Sequence, residues 1–422
     1  LFFLPSLLPG LSKMGLALYF ILAFLAGFLL LCLFVKRKLS QDTNTNFLAQ
    51  GFPKEMGIPS FPIIGRYQFD SVDGLYEDIR DVIAEAILFY RRLSCLCVVE
   101  NGKTNWKAVK VNVPDHLKKV EVKGAEEMEK YTNELVTTPL EKDKPLWDCH
   151  IVKNLNGESS VFFRFDHAVG DGVSLAQTLL KVVSDADGKP LKMGVFTRPA
   201  SQQEKADSVG VIIGKILWAA FVTAKTFLKC FLLPMSPADT ATNVHNPHTY
   251  KYSGKRAVVW APSVSLESIK PLRAHFNCTV NDVMSACVCG SLRRYLEHTK
   301  DPNLTAAMQQ RALLPFSMPR TKDAHDPDCL ENRWCFISLP LPTGEADMKK
   351  RLQRVIEECQ LLKTSPEPIF QIALMAISQA ALPHAHCAVV GRDVLLKHSL
   401  VFTNVPGPGE LVLMAGRPVK HL

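Results

Sequence analysis

Hydrophobic and polar positions divide the chain into a long apolar run, a polar linker and two sets of alternating segments. From Gly15 to Val35 there are 21 consecutive uncharged residues, enough at about 1.5 Å per helical residue to cross a hydrocarbon core of roughly 30 Å. The run is longer than the about 7–15 apolar residues of a cleaved signal, and Lys36-Arg37-Lys38 follow it, so a retained transmembrane helix is expected over 15–35. That basic cluster outweighs Lys13 on the other flank and places the bulk of the protein in the cytosol. The anchor region 1–38 leads into a linker over 39–65, polar and then punctuated by Pro53, Pro59 and Pro62.

Beyond the linker, the periodicity predicts an amphipathic helix over Asp73–Leu93 and strands over Leu96–Val99 and Ala108–Val113. Residues 148–166 read as a hairpin turning at Asn154-Leu155-Asn156-Gly157. After it, Ser174 is expected to cap a helix with the apolar face Leu175, Leu179, Val182 and Val183. The apolar stretch Val209–Leu233 carries Lys215, Lys225 and Lys229, too costly at a bilayer centre. It reads either as an interfacial helix whose lysines snorkel, or as an ordinary helix packed on the core. A second set follows: a strand at Ala257–Trp260 and helices over Ser265–His275 and Asp282–His298. The order predicts an α/β protein in two halves, 66–200 and 250–422, joined by an amphipathic crossover over 201–249.

Composition narrows the class. The chain has 422 residues, 47% hydrophobic and 21% charged, which excludes disorder. Its net charge of +8 is dispersed, with no arginine-rich run or zinc-finger spacing, so nucleic acid is not an expected partner. The 12 cysteines are scattered and form no C-x-x-C pair, which fits reduced thiols rather than a disulfide framework or a metal site.

The most informative segment runs from Val161 to Ser174, VFFRFDHAVGDGVS. With period-two alternation His167 shares a face with Val161, Phe163 and Phe165. A neutral imidazole in such surroundings can take a proton from a hydroxyl near pH 7. Asp171 is placed to lock the turn by pairing with an arginine such as Arg164. Taken alone, one histidine near an aspartate is better explained as a loop imidazole satisfied by its neighbours. Asn281 and Asp282 sit at a helix start, where Asn281 serves as an N-cap above a stripe of Met284, Val288, Leu292 and Tyr295, or helps to hold an oxyanion. Lys251, Lys255 and Arg256 are either a solvated loop or partners for phosphates.

This segment resembles the H-H-x-x-x-D-G motif of the bifunctional wax ester synthase/diacylglycerol acyltransferase family. Pro145-Leu146-Trp147-Asp148 looks like its PLW segment and Thr279-Val280-Asn281-Asp282-Val283 resembles its N-D motif. Pro315-Phe316-Ser317 with Arg320 is similar to its PVSxR block, Asn332 with Leu339-Pro340 to its GN...LP block, and Thr403-Asn404-Val405-Pro406-Gly407-Pro408 to its SNVPGP. Asp166 stands where the motif has its first histidine, and Glu331 replaces the glycine before Asn332. The family continues with further strands beyond the last block, so an incomplete C-terminal half and a fragmentary sequence are expected.

The resemblance implies a chloramphenicol-acetyltransferase-like α/β architecture of two halves around a central tunnel, here preceded by the transmembrane helix. It implies transfer of a fatty acyl group from acyl-CoA to a long-chain alcohol or diacylglycerol at a lipid bilayer, with no metal and no cofactor beyond the acyl-CoA co-substrate. His167 would be the general base, Asp171 a mainly structural partner and Asn281 an oxyanion contact, while Gly172, Asp282, Asn404, Pro406 and Gly407 would border the substrates. The endoplasmic reticulum, with the catalytic part cytosolic, or a lipid-droplet surface would be the location. Asp166 and the short C-terminus favour an alternative, a membrane-tethered lipid-binding pseudoenzyme.

Overall fold

The computed structural model describes residues 62–101, 103–191, 236–318, 320, 322, 326–381, 384–405, 407–408 and 411–422, with isolated positions that include Thr45, Leu48 and Ala49. Among them no helix is long and apolar enough to cross a membrane. The expected span 15–35 and most of the apolar stretch 209–233 lie outside the described residues.

In the first half come β1 (Pro62–Phe69), α1 (Leu75–Val82), β2 (Cys95–Glu100), β3 (Lys103–Ala108), β4 (Leu117–Val122), α2 (Ala125–Thr137), β5 (Trp147–Asn154), β6 (Ser159–Asp166) and α3 (Gly172–Leu179). Four strands form a sheet ordered β1-β6-β5-β4, while β2 and β3 pair as a separate hairpin. Within this sheet β4 and β5 run parallel and the other described pairs antiparallel, and α2 supplies the crossover that the parallel pair needs. The expected β5–β6 hairpin is present, with Trp147 opposite Phe165. Its turn is held by Asn154, whose Oδ1 accepts the Asn156 N–H at 3.2 Å and the Gly124 N–H at 2.8 Å. Both faces of this pair are covered: Trp147, Cys149, Ile151, Phe163 and Phe165 meet α1 and α3, while Val152 and Phe162 meet Met128 and Leu135 of α2. That double burial is why β6 reads as an apolar run with a single charge before its last residue, Asp166.

The charge is Arg164, and it does not pair with Asp171 as expected. It points to the α2 side, where Asp148 on β5 accepts from Nε at 2.9 Å and from Nη2 at 2.6 Å, and the carbonyls of Leu135 and Thr138 accept from Nη1. Strand alternation dictates this, because Arg164 and Asp148 are register partners, whereas Asp171 lies past the strand end.

Other expectations are corrected. The helix over Asp73–Leu93 is regular only to Val82, then continues as a π-helical turn over Ile83–Ile87 that still buries Ile79, Ile83 and Ile87. The strand expected over Ala108–Val113 lies earlier, at Lys103–Ala108, and Val113 instead begins a short 3-10 turn that contains Pro114. Strand β1 takes in Pro62–Gly65, which were expected to be linker. Ala257–Trp260 carries no ladder. The segment is lashed to α2 instead, with Arg256 Nη1 donating to the Val136 carbonyl at 2.9 Å and the Val258 N–H to Asn133 Oδ1 at 2.7 Å.

The second half contains α4 (Lys270–Phe276), α5 (Val280–His298), β7 (Gln310–Ser317), β8 (Trp334–Leu341), α6 (Met348–Thr364), α7 (Glu367–Ala381), α8 (His384–Leu396) and β9 (Leu400–Val401), with a sheet ordered β8-β7-β9. Its core joins Cys289, Ala312, Leu339, Leu341, Val355 and Cys359 from α5, β7, β8 and α6. The buried side of α5 carries Val283, Ser285, Cys289 and Leu296, whereas Met284 and Tyr295, expected in the buried stripe, are exposed. The chain then returns to the first half through β10 (Leu413–Met414) and β11 (Arg417–Pro418). Val412, Met414 and Val419 join the first core, and the Gln68 N–H donates to the His421 carbonyl at 2.9 Å. Residues 411–422 therefore pack with the first half, although the expected boundary put them in the second.

Arg164→Ala strands the Asp148 carboxylate in a buried site and is expected to cost about 3–5 kcal/mol in chemical denaturation. Burial alone would raise the Asp148 carboxyl, but hydrogen bonds from His150 and Arg164 outweigh it and hold it at about 2. A depressed carboxylate contributes stability that is complete above its unfolded value and lost as pH falls through the folded one. Denaturation midpoints measured from pH 5 down to about pH 2 should therefore drop more steeply in the native protein than in Asp148→Asn.

Candidate active site

Strand β6 ends at Asp166 and the chain turns sharply into α3. The Asp166 carboxylate holds this turn by accepting the Ala168 N–H at 2.9 Å. The α3 cap is Asp171, not Ser174: its Oδ1 accepts the Ser174 N–H at 3.0 Å, which satisfies one of the orphan donors of the first turn. Gly172 is then the first helical residue. Ser174, expected at the cap, uses its hydroxyl elsewhere and donates to the Glu331 carbonyl at 2.9 Å.

That carbonyl belongs to the other half, and the contact is one of a set. The Asp171 N–H donates to the Glu331 carbonyl at 3.1 Å, and Asp171 Oδ2 accepts the Arg333 N–H at 2.8 Å. Arg320 Nη2 reaches Asp171 Oδ1 at 2.6 Å, while its Nη1 lies 2.9 Å from Ser174 Oγ. Asp171 is only 4% exposed, so its charge is compensated almost wholly by these donors. Glu331 serves the seam with its main chain, and its carboxylate stands 3.7 Å from Arg333 Nε. A side chain at a position where the family motif has glycine therefore leaves these bonds in place.

His167 follows the turn-holding Asp166 and is partly exposed at the same seam. Its Nδ1 lies 3.2 Å from Asn332 Oδ1, and its ring packs 5.9 Å from the Trp334 ring at the start of β8. The histidine expected on the aromatic face of β6 thus finds its ring neighbour in the opposite half. Burial pushes the imidazole below its ordinary value, against the raising effects of Asn332, Asp171 and Asp166. Asp166 is itself pushed up by burial.

Asn281, Asp282 and Asn404 lie around the start of α5. The α5 cap is Thr279, in a reciprocal box with Asp282, so Asn281 is not the cap. The Asp282 carboxylate accepts the Thr279 N–H at 2.8 Å and pairs with Lys363 Nζ at 2.9 Å. Asn281 is exposed, and its Oδ1 accepts from Asn404 Nδ2. Gly407 is exposed, and Pro406 lies outside the described residues. Lys251 and Lys255 are exposed. A cavity of about 490 Å³ opens elsewhere, between Arg66 on β1, the β5–β6 turn, Met128 and Trp260.

An imidazole held at the seam of two α/β halves, beside a carboxylate clasp contributed by both, defines a two-domain α/β protein with a polar site where the halves meet. Residues 64–284, just over half of the chain, match the wax ester synthase/diacylglycerol acyltransferase catalytic domain, and residues 330–422 match the C-terminal domain of the same proteins. The chain belongs to the wax ester synthase/diacylglycerol acyltransferase family, a family of transferases. It is similar to wax ester synthase/diacylglycerol acyltransferase 11 of Arabidopsis thaliana, 26% identical over 377 residues that cover 81% of this chain and 76% of that protein. It is also similar to number 2 of the same plant, 22% identical over 386 residues and covering 83% and 79% of the two chains. The solved wax ester synthase/diacylglycerol acyltransferase from Marinobacter aquaeolei VT8 shares the fold, with a TM-score of 0.56 at 16% identity over 86% of this chain and 81% of that one.

Sequence reasoning placed Arg320 and Asn332 only inside motif blocks and gave neither a partner. No periodicity links positions such as 167 and 332, which are 165 residues apart.

Arg320→Ala leaves the Asp171 charge without its guanidinium and is expected to lower stability by about 3 kcal/mol. Arg320→Lys should recover only part of this, because a point charge cannot serve Asp171 and Ser174 as a fork does. Thermal melts of the three proteins check the order native, lysine, alanine.

Proposed function

We propose that this protein transfers a fatty acyl group from acyl-CoA to the hydroxyl of a long-chain alcohol, of diacylglycerol, or of both, with His167 as general base. The observation that carries this reading is the partly exposed imidazole at the seam, held through Nδ1 and kept neutral by its surroundings. The imidazole takes the hydroxyl proton, the oxygen attacks the thioester carbonyl, and the tetrahedral intermediate collapses to the ester. The CoA thiolate leaves and recovers the proton from the imidazolium. Neither a metal nor a cofactor beyond acyl-CoA is needed for these steps.

The other residues take roles around this base. Asp171 fixes the turn. Asn281, or an amide at the start of α5, stabilises the oxyanion. Gly172, Asp282, Asn404, Pro406 and Gly407 border the substrates in a tunnel between the halves. Substrates of this kind partition into lipid, which favours a bilayer-bound enzyme anchored by a helix over 15–35 and resting on the crossover over 201–249. The catalytic part then faces the cytosol at the endoplasmic reticulum or a lipid-droplet surface.

Labelled acyl-CoA supplied to membranes with fatty alcohol or diacylglycerol tests the reaction. His167→Ala should lower ester formation at least about 100-fold while expression and membrane retention stay unchanged, and substantial residual activity would remove His167 from its role. Because the folded imidazole lies below its usual value of about 6.5, activity should persist into mildly acidic solution and fall only as pH drops through the lowered value. Protease added to sealed microsomes should digest the region after Lys38, and its protection would reverse the topology.

A further inference from the structure

The His167 ring is held by a single amide that makes bonds to several groups at once. Asn332 is 1% exposed. Its Nδ2 lies 2.9 Å from the His167 carbonyl, 3.1 Å from the Ala168 carbonyl and 3.0 Å from Thr45 Oγ1, and its Oδ1 lies 3.2 Å from His167 Nδ1. Two of the three groups around Nδ2 are carbonyls, which can only accept, so the amide cannot be turned over without setting its oxygen against them. Oδ1 therefore faces the ring, and a carbonyl oxygen at Nδ1 requires that nitrogen to carry the hydrogen. The unshared pair is then left on Nε2.

We infer that Asn332 is the positioning residue of the base: from the second half it fixes the turn carrying His167 and selects the tautomer whose Nε2 can accept the substrate proton. This rests on the reading of His167 as the base and adds that the base is assembled only when the two halves are together. Thr45 extends the network, because it also takes a bond from Arg92 Nη1 at 3.1 Å. The charged groups around the ring are Asp166 and Asp171 on its own turn, Arg92 through Thr45, and Arg320, Glu331 and Arg333 from the second half. An uncharged amide orients the ring without adding to that field.

Three measurements on the full chain test the inference. Asn332→Ala should lower kcat by about 10–100-fold with KM little changed, since orientation rather than substrate binding is lost. Asn332→Asp keeps an acceptor at Nδ1 but adds a charge, and should move the acid limb of the kcat–pH profile upward. On the native protein, nitrogen-15 spectra of the histidine rings at neutral pH, with His167 assigned by its disappearance in His167→Gln, should report hydrogen on Nδ1. A folded alanine variant with native kcat, an aspartate variant with an unmoved acid limb, or a native ring protonated on Nε2 would each overturn the assignment. The spectrum needs no Asn332 variant to fold. The readings separate cleanly: activity surviving in His167→Ala defeats the base, whereas an inactive His167→Ala beside an Nε2–H ring defeats only the positioning role.

Discussion

One buried carboxylate, that of Asp171, organises the contact between the two halves. It caps α3 through the Ser174 N–H, takes the Arg333 N–H from the approach to β8 and holds the Arg320 guanidinium. A charge that is 4% exposed is tolerable only when such donors replace its water. Each donor comes from a different piece of chain, so the cap of a helix, the entry to a strand and the loop after β7 share one condition. The clasp therefore decides where the second half sits relative to the end of β6, and β6 is what carries His167 to that place.

Each half has a main apolar core, with Phe163, Phe165 and Leu175 in one and Ala312, Leu339 and Val355 in the other, and Cys329 and Leu330 of the second half reach into the first. The directional contacts that cross near the site are polar or aromatic, Asp171 to Arg320, Ser174 to Glu331 and His167 to Asn332 and Trp334, and beside them Ala168 shares a small apolar cluster with Ala388 and Leu395. Polar contacts of this kind specify geometry through direction and distance, whereas apolar contact tolerates sliding. The base proposed at His167 needs that precision, because the orientation of an imidazole decides which nitrogen faces a substrate. The return of residues 411–422 to the first core adds a tether, so the second half is flanked on both sides by chain that belongs to the first.

Local elements were legible in the sequence because their causes are local. The β5–β6 hairpin followed from apolar runs either side of Asn154–Gly157, and α5 from its long periodic stretch. Errors came where competing local solutions exist. Asn281 is a good cap in isolation, but Thr279 with Asp282 satisfies two donors reciprocally and wins. Arg164 was read as a partner for Asp171 because the two are near in sequence, yet strand register sets Arg164 against Asp148. The clasp and the His167–Asn332 bond depend on how two halves dock, and nothing periodic encodes contacts across so long a separation. Only the ordered motif blocks pointed at those residues, and they did so without geometry.

The replacement of the motif's first histidine by Asp166 is the feature that most favours a non-catalytic reading, and the geometry limits its force. Asp166 spends its carboxylate on the Ala168 N–H, which holds the turn that aims His167. An aspartate is well suited to this work, since short carboxylates readily accept a backbone donor two residues on. The cost would be a negative charge beside the base, tending to protonate it. Burial offsets that cost: it pushes Asp166 itself up and pushes His167 down by more than its acidic neighbours raise it. The imidazole is left neutral, as the proposed base has to be, and the departure from the motif leaves in place the group that the turn presents.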